Sequence, residues 1–181
     1  MPRLPDVLDT DELSLPELCA ARLDGEVVAV LDRWIPIDAP DLPELRARAL
    51  GAAANGPVIA GWSAAWVHGA TPVPPKVAEF CVPHGARVAR SRDPRRRIRE
   101  VAIDESEITM AGGCRCTSVE RTAFDLLRDP ALDEHGVLPV VESLLRSDPI
   151  HLAERLRDRF APATRVPHRR LALARLARIL G

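Results

Sequence analysis

The chain has 181 residues, 46% of them apolar and 28% charged, enough to bury roughly 70% of its unfolded surface without a disulfide or metal staple. No apolar run approaches the ~20 residues of a membrane span, and no charged leader precedes an apolar stretch, so the sequence reads as a cytoplasmic protein with reduced cysteines. The formal charge of −1 hides an asymmetry: residues 1–56 hold five basic and eleven acidic residues, net −6, while residues 87–99 and 149–181 are each net +6.

In chain order, the first helix is expected over 15–24, entered through the capping box of Ser14 and Glu17 and left at Gly25 in the left-handed conformation. "EVVAVLDRWIPI" reads as two strands turning at Leu31-Asp32, with Pro36 confining the second to an edge. Helix plus hairpin is the second half of a winged-helix shape, without its opening helices. A second helix, capped by Asp41 with Glu44, is expected over 42–54 and stops at Asn55-Gly56. "PVIAG" is a short buried strand, "SAAWVHG" a short helix capped by Ser63, and "TPVPP" a linker. Strands are expected at 77–82, 86–90, 98–103 and 114–117, with "SRDPRR" turning between the second and third. A helix over 118–128 follows, with Thr117 and Glu120 as its capping pair, and further helices cover 137–146, 149–160 (Asp148 as cap) and 167–180. With three Trp, three Phe and no Tyr, the core must be aliphatic. The expected class is α+β: a truncated winged-helix-like segment over 1–40, then a domain over 41–181 with a mixed centre and a helical C-terminal third.

Two stretches carry a resemblance. "GWSAAWVHG" and, with more specificity, "CTSVERTAFDLLR" resemble the AbiEi family, antitoxins of type IV toxin–antitoxin systems. The resemblance implies a non-enzymatic bacterial protein that counteracts a nucleotidyltransferase-like toxin encoded beside it. It also implies that complete members regulate their own operon by binding promoter DNA through the winged helix. Affinity for DNA rests largely on Lys and Arg neutralising phosphates, so a front of net −6 is a poor candidate for that role. Taken alone, the second motif is explained by structure: Val119, Ala123, Leu126 and Leu127 form a core stripe, and Arg121 and Asp125 pair at i,i+4.

No cofactor or metal is expected. "CVPH" places two residues between Cys81 and His84, a ligand-like spacing, and "CRC" adds Cys114 and Cys116, but the latter spacing is tighter than zinc pairs use, and cysteine is commonly buried in its own right. The single lysine, Lys76, belongs to no Glu-x-Lys nuclease element, and no phosphate loop or nucleophile elbow is present. His68, ending a short apolar helix, is expected to be hydrogen-bonded or capping.

The strongest candidates for contact are Arg87, Arg90, Arg92, Arg95, Arg96, Arg97 and Arg99, with Arg169 and Arg170 ahead of the last helix as a second group. Exposed ion pairs contribute about 0–1 kcal/mol each, so stability does not explain such clustering. Two readings stand side by side: a basic surface for a toxin or nucleic acid, or a solvated hairpin balanced by Glu100, Asp104, Glu105 and Glu107. With no aromatic residue in the segment, contact to phosphate or carboxylate is expected without base reading. A stand-alone DNA-binding regulator is the alternative function, and a degraded nuclease a remoter one. In the last helix, Leu173, Leu176, Ala177 and Leu180 are expected to face the domain, with Arg175 and Arg178 outward.

Overall fold

The computed structural model of the chain describes residues 5–53, 56–86, 92–161 and 166–181. Helices and two sheets mix in an α+β arrangement. No helix among the described residues is long and apolar enough to cross a membrane.

At the front, the Ser14 amide and hydroxyl both donate to the Glu17 carboxylate (2.9 and 2.6 Å), opening α1, Leu15–Leu23. Gly25 at φ 77° reverses the chain. Strands β1 (Val27–Val30) and β2 (Arg33–Pro36) then pair antiparallel, with Leu31 left-handed in the turn. One face of this hairpin packs Val27 and Trp34 on Leu8 and Leu18 in a small core of its own. Val30 and Ile35, on the other face, join the core of the main sheet.

That sheet has five strands in the order β5-β4-β3-β7-β6: β3 Val58–Ile59, β4 Ala78–Pro83, β5 Arg96–Val101, β6 Ile108–Ala111 and β7 Cys114–Thr117. Two findings correct the sequence reading. Strand β5 pairs with β4 in parallel, Phe80 opposite Ile98 and Cys81 opposite Arg99, so β5 and β4 are joined by a crossover. The strand expected at 86–90 falls largely outside the described residues. Strand β6 was not foreseen; it pairs antiparallel with β7 through Gly112-Gly113, both at positive φ (56° and 79°), the backbone a tight two-residue hairpin demands.

Helices α2 (Pro43–Ala49) and α3 (Gly61–Val67) bury Leu50, Trp66 and Val67 against Ile59, Phe80, Cys114 and Cys116 on one face of the sheet. Helices α4 (Val119–Arg128), α5 (Glu134–Leu145), α6 (Pro149–Arg159) and α7 (Arg169–Leu180) share an aliphatic core around Leu126, Leu127, Val141 and Leu156, where Phe124 and Phe160 stack at 4.8 Å. Ala65 of α3 belongs to that helical core, so α3 joins the two.

Several caps fall elsewhere than expected. Leu42 occupies the start of α2, because the Asp41 carboxylate is held by the Arg46 guanidinium through two bonds of 2.6 Å. This helix stops at Leu50, with Gly51 left-handed. Ser118 is the cap of α4, accepting the Arg121 amide at 3.2 Å, while Thr117 stays in β7 and its hydroxyl bonds that of Thr122 at 2.7 Å. Ser63 lies inside α3, where its hydroxyl accepts the Glu79 amide at 2.8 Å. The stripe of α7 is also rotated: Ala172, Arg175 and Leu176 are buried, whereas Ala177 is exposed. Arg175 turns inward because its guanidinium donates to the carbonyls of Leu127 (3.1 Å), Asp129 (2.8 Å) and Leu132 beyond the end of α4, groups that a helix terminus otherwise leaves unpaired.

Candidate functional site: an arginine-walled cleft

The arginines that look contiguous in sequence are dealt to different places by the strand. Side chains alternate across a sheet, so Arg97 and Arg99 share a face with Val101, and Arg96 shares the other with Ile98. Arg96 reaches under the sheet to the Gly51 carbonyl (3.3 Å) and lies over the Phe80 ring. Arg92 and Arg95 are exposed before the strand. Asp93 accepts the Arg95 amide at 2.8 Å, and this bond, with the charges of Arg95 and Arg96, holds its carboxyl below the usual range. Arg87 and Arg90 lie outside the described residues. Arg169 and Arg170 open α7 just after His168, which is left-handed at φ 57°.

Arg97 and Arg99 line a cleft of about 380 Å³. Its walls are the outer face of β4 and β5 (Glu79, Cys81, Val101), the start of α3 (Ala60, Gly61, Trp62) and the end of α4 with the loop beyond it (Asp125, Arg128, Asp129). The arginine side chains are 56% and 54% exposed, and their nearest carboxylate oxygens are loose: Glu79 at 3.6 Å from Arg97, Asp129 at 3.4 Å from Arg99. Those carboxylates are already engaged. Glu79 Oε2 accepts the Trp62 amide at 2.9 Å and Asp129 Oδ1 accepts the Ala131 amide at 2.9 Å. Each guanidinium carries five donors, and among the described residues Arg97 makes no hydrogen bond within 3.5 Å while Arg99 makes one.

Contrast the arginine of the "TSVERTAFDLLR" motif. Arg121 is 3% exposed and donates to Glu107 (2.6 Å), Asp125 (2.8 Å) and the Ala102 carbonyl (2.8 Å). Burial alone would raise the Glu107 carboxyl, but the Asp104 amide, Arg159 and Arg121 outweigh it and hold it below its ordinary value. Arg159 extends the network, pairing with Glu107 and Glu120 and stacking over Phe124 at 4.2 Å. This part of the motif is a structural clasp between α4, α6 and the turn before β6.

Three of the four thiols, Cys81, Cys114 and Cys116, are buried. Burial, followed by the charge of Asp125, pushes the Cys81 thiol up to about 11, and burial likewise raises Cys114 and Cys116. Cys114 and Cys116 face the same side of the sheet, as their spacing predicts. Among the described residues no group of three His, Cys, Asp or Glu is placed to hold a metal ion. His68 ends α3 with Nε2 at 2.7 Å from the Thr117 carbonyl, and burial lowers its pKa. The neutral ring thus donates there, the hydrogen-bonded role expected of it.

No protein-family model matches the chain, and no curated protein matches it. The cleft residues Trp62, Glu79, Arg128 and Asp129 were not singled out from sequence, and Asp125 only for its pair with Arg121. One signal was present: Glu79 interrupts the apolar run "VAEFCV", on the strand face opposite Phe80.

Proposed function

We propose that the chain is an antitoxin of the AbiEi type: a cytoplasmic, non-catalytic protein that counteracts a nucleotidyltransferase-like toxin through the exposed guanidinium groups of Arg97 and Arg99. One observation carries this reading. Arg97 and Arg99 are half exposed with most of their donors unspent, while one oxygen of each carboxylate opposite them is bonded to a backbone amide and the other stays at 3.4 Å or beyond. Such guanidinium groups can take a partner's carboxylate or phosphate without breaking a good ion pair. The resemblance of "GWSAAWVHG" and "CTSVERTAFDLLR" supplies the kind of partner. Promoter binding has little support from a front of net −6.

The test is co-expression with a nucleotidyltransferase-like protein, which this reading expects to be encoded in the neighbouring reading frame. Induction of that protein alone should arrest growth, and this chain should restore it. Failure of the chain to restore growth overturns the reading. Salt-steep DNA binding without rescue would favour the stand-alone regulator instead.

A further inference from the structure

We propose that the cleft between β5 and the end of α4 binds a small organic monophosphate, a mononucleotide-sized molecule with one phosphate and a flat ring. This inference rests on the exposure of Arg97 and Arg99 and not on the toxin partner.

Size comes first. At about 380 Å³ the cleft lies near the lower end of the ~300–1,000 Å³ range of small-molecule sites, which suits a mononucleotide better than a dinucleotide. Charge comes next. Arg97 and Arg99 approach from the strand wall and Arg128 from the helix wall. Arg128 is already paired with Asp125 at 3.0 Å, so the free capacity is on the strand side. A phosphate oxygen can accept from both β5 guanidiniums, because their present contacts are at 3.4 Å and beyond.

The same wall sets an upper limit on ligand charge. Glu79, Asp125 and Asp129 line the cleft with the three arginines, so its formal charge is near zero. A ligand with one or two negative charges gains from Arg97 and Arg99, whereas a triphosphate brings further charge against three carboxylates. Apart from His168, the remainder of the lining, including Ala60, Val101, Leu126 and Leu132, is largely apolar, and Trp62 lies among it. That lining suits a ring and not a bare ion, since aromatic and apolar contacts add to what the phosphate gains.

The experiment titrates adenosine 5′-monophosphate into the full chain, read by calorimetry and tryptophan fluorescence. Trp62 lines the cleft while Trp34 and Trp66 are buried (8% and 4% exposed), so quenching reports on Trp62. Saturable binding is expected, with adenosine, inorganic phosphate and adenosine triphosphate each weaker. A charge-assisted hydrogen bond contributes about 1.5–3 kcal/mol, so Arg97→Gln and Arg99→Gln should each weaken binding roughly 10-fold or more with unchanged melting temperature. Arg157→Glu, an exposed position on α6, should leave binding unchanged. Absence of saturable binding to the wild-type chain, or binding indifferent to both glutamine variants, overturns the proposal. Tighter binding of the triphosphate overturns the monophosphate assignment. Loss of toxin rescue with retained nucleotide binding, or the reverse, separates this inference from the antitoxin reading.

Discussion

Replacing Arg121 by Met removes the centre of the buried clasp while roughly keeping side-chain volume. Three bonds go: those to Glu107 (2.6 Å), Asp125 (2.8 Å) and the Ala102 carbonyl (2.8 Å). An exposed ion pair would contribute about 0–1 kcal/mol, but the Arg121 side chain is 4% exposed. Removing one partner of a buried pair costs about 3–5 kcal/mol, because the other charge is left without compensation. Here the lower end applies, since Glu107 keeps Arg159 and the Asp104 amide, and Asp125 keeps Arg128. A loss of about 3 kcal/mol lowers the melting temperature of a protein this size by roughly 6–12 °C.

The pH dependence follows from the same geometry. Glu107 is held below its ordinary value of 4.5 in the folded chain. Its stabilisation is therefore complete above that value and fades as pH falls through the lower folded one. Without Arg121 part of that depression is lost, so the gap between variant and wild type should narrow on acidification. Circular-dichroism melts and urea titrations at pH 7 and at about pH 3, below the ordinary carboxyl value, measure both effects. A loss below about 1 kcal/mol at pH 7, or a gap that widens in acid, would mean that Arg121 is not a buried clasp.

Arg175→Leu should destabilise by about 2–4 kcal/mol in urea unfolding, because the carbonyls beyond α4 lose a shared buried donor, and Arg175→Lys should recover only part of it, as a point donor in place of a fork. Gly61 sits at φ 55° with the Glu79 carboxylate where a Cβ would stand, so Gly61→Ala should cost about 1–3 kcal/mol through strain and a displaced helix cap. Thiol titration with a disulfide reagent should find one reactive cysteine in the native chain, the exposed Cys19, and four in denaturant; three or more fast native thiols would contradict the burial described.

Much of the scaffold was legible because local chemistry decided it. The Ser14–Glu17 box, the Leu31-Asp32 turn, the apolar "PVIAG" strand and the Asp148-Pro149 helix start are each set by residues within a few positions. What was not legible depended on distant partners. The parallel pairing of β5 with β4 is a long-range choice that no local turn residue announces. Arg175 looked like a solvent-facing residue until α4 presented it with unpaired carbonyls. Asp41 looked like a cap until Arg46, one helical turn on, claimed it. The Gly112-Gly113 pair was a local signal for β6 that went unused. At the site, the cluster "RRRIR" was visible as composition, but alternation along β5 sends Arg96 to one face and Arg97 and Arg99 to the other. The facing wall of Asp125, Arg128 and Asp129 arises only from tertiary packing.

With the exposed guanidinium groups of β5 as the working surface, reversing their charge should decide whether the chain still restores growth. Arg97→Glu/Arg99→Glu, and separately Arg157→Glu, would be co-expressed with the nucleotidyltransferase-like toxin that the proposed function requires, with melting temperatures measured in parallel. The double reversal should abolish growth rescue while melting within about 2–3 °C of wild type, as expected for exposed charges, and Arg157→Glu should rescue fully. Full rescue by the folded double variant would contradict that role for β5.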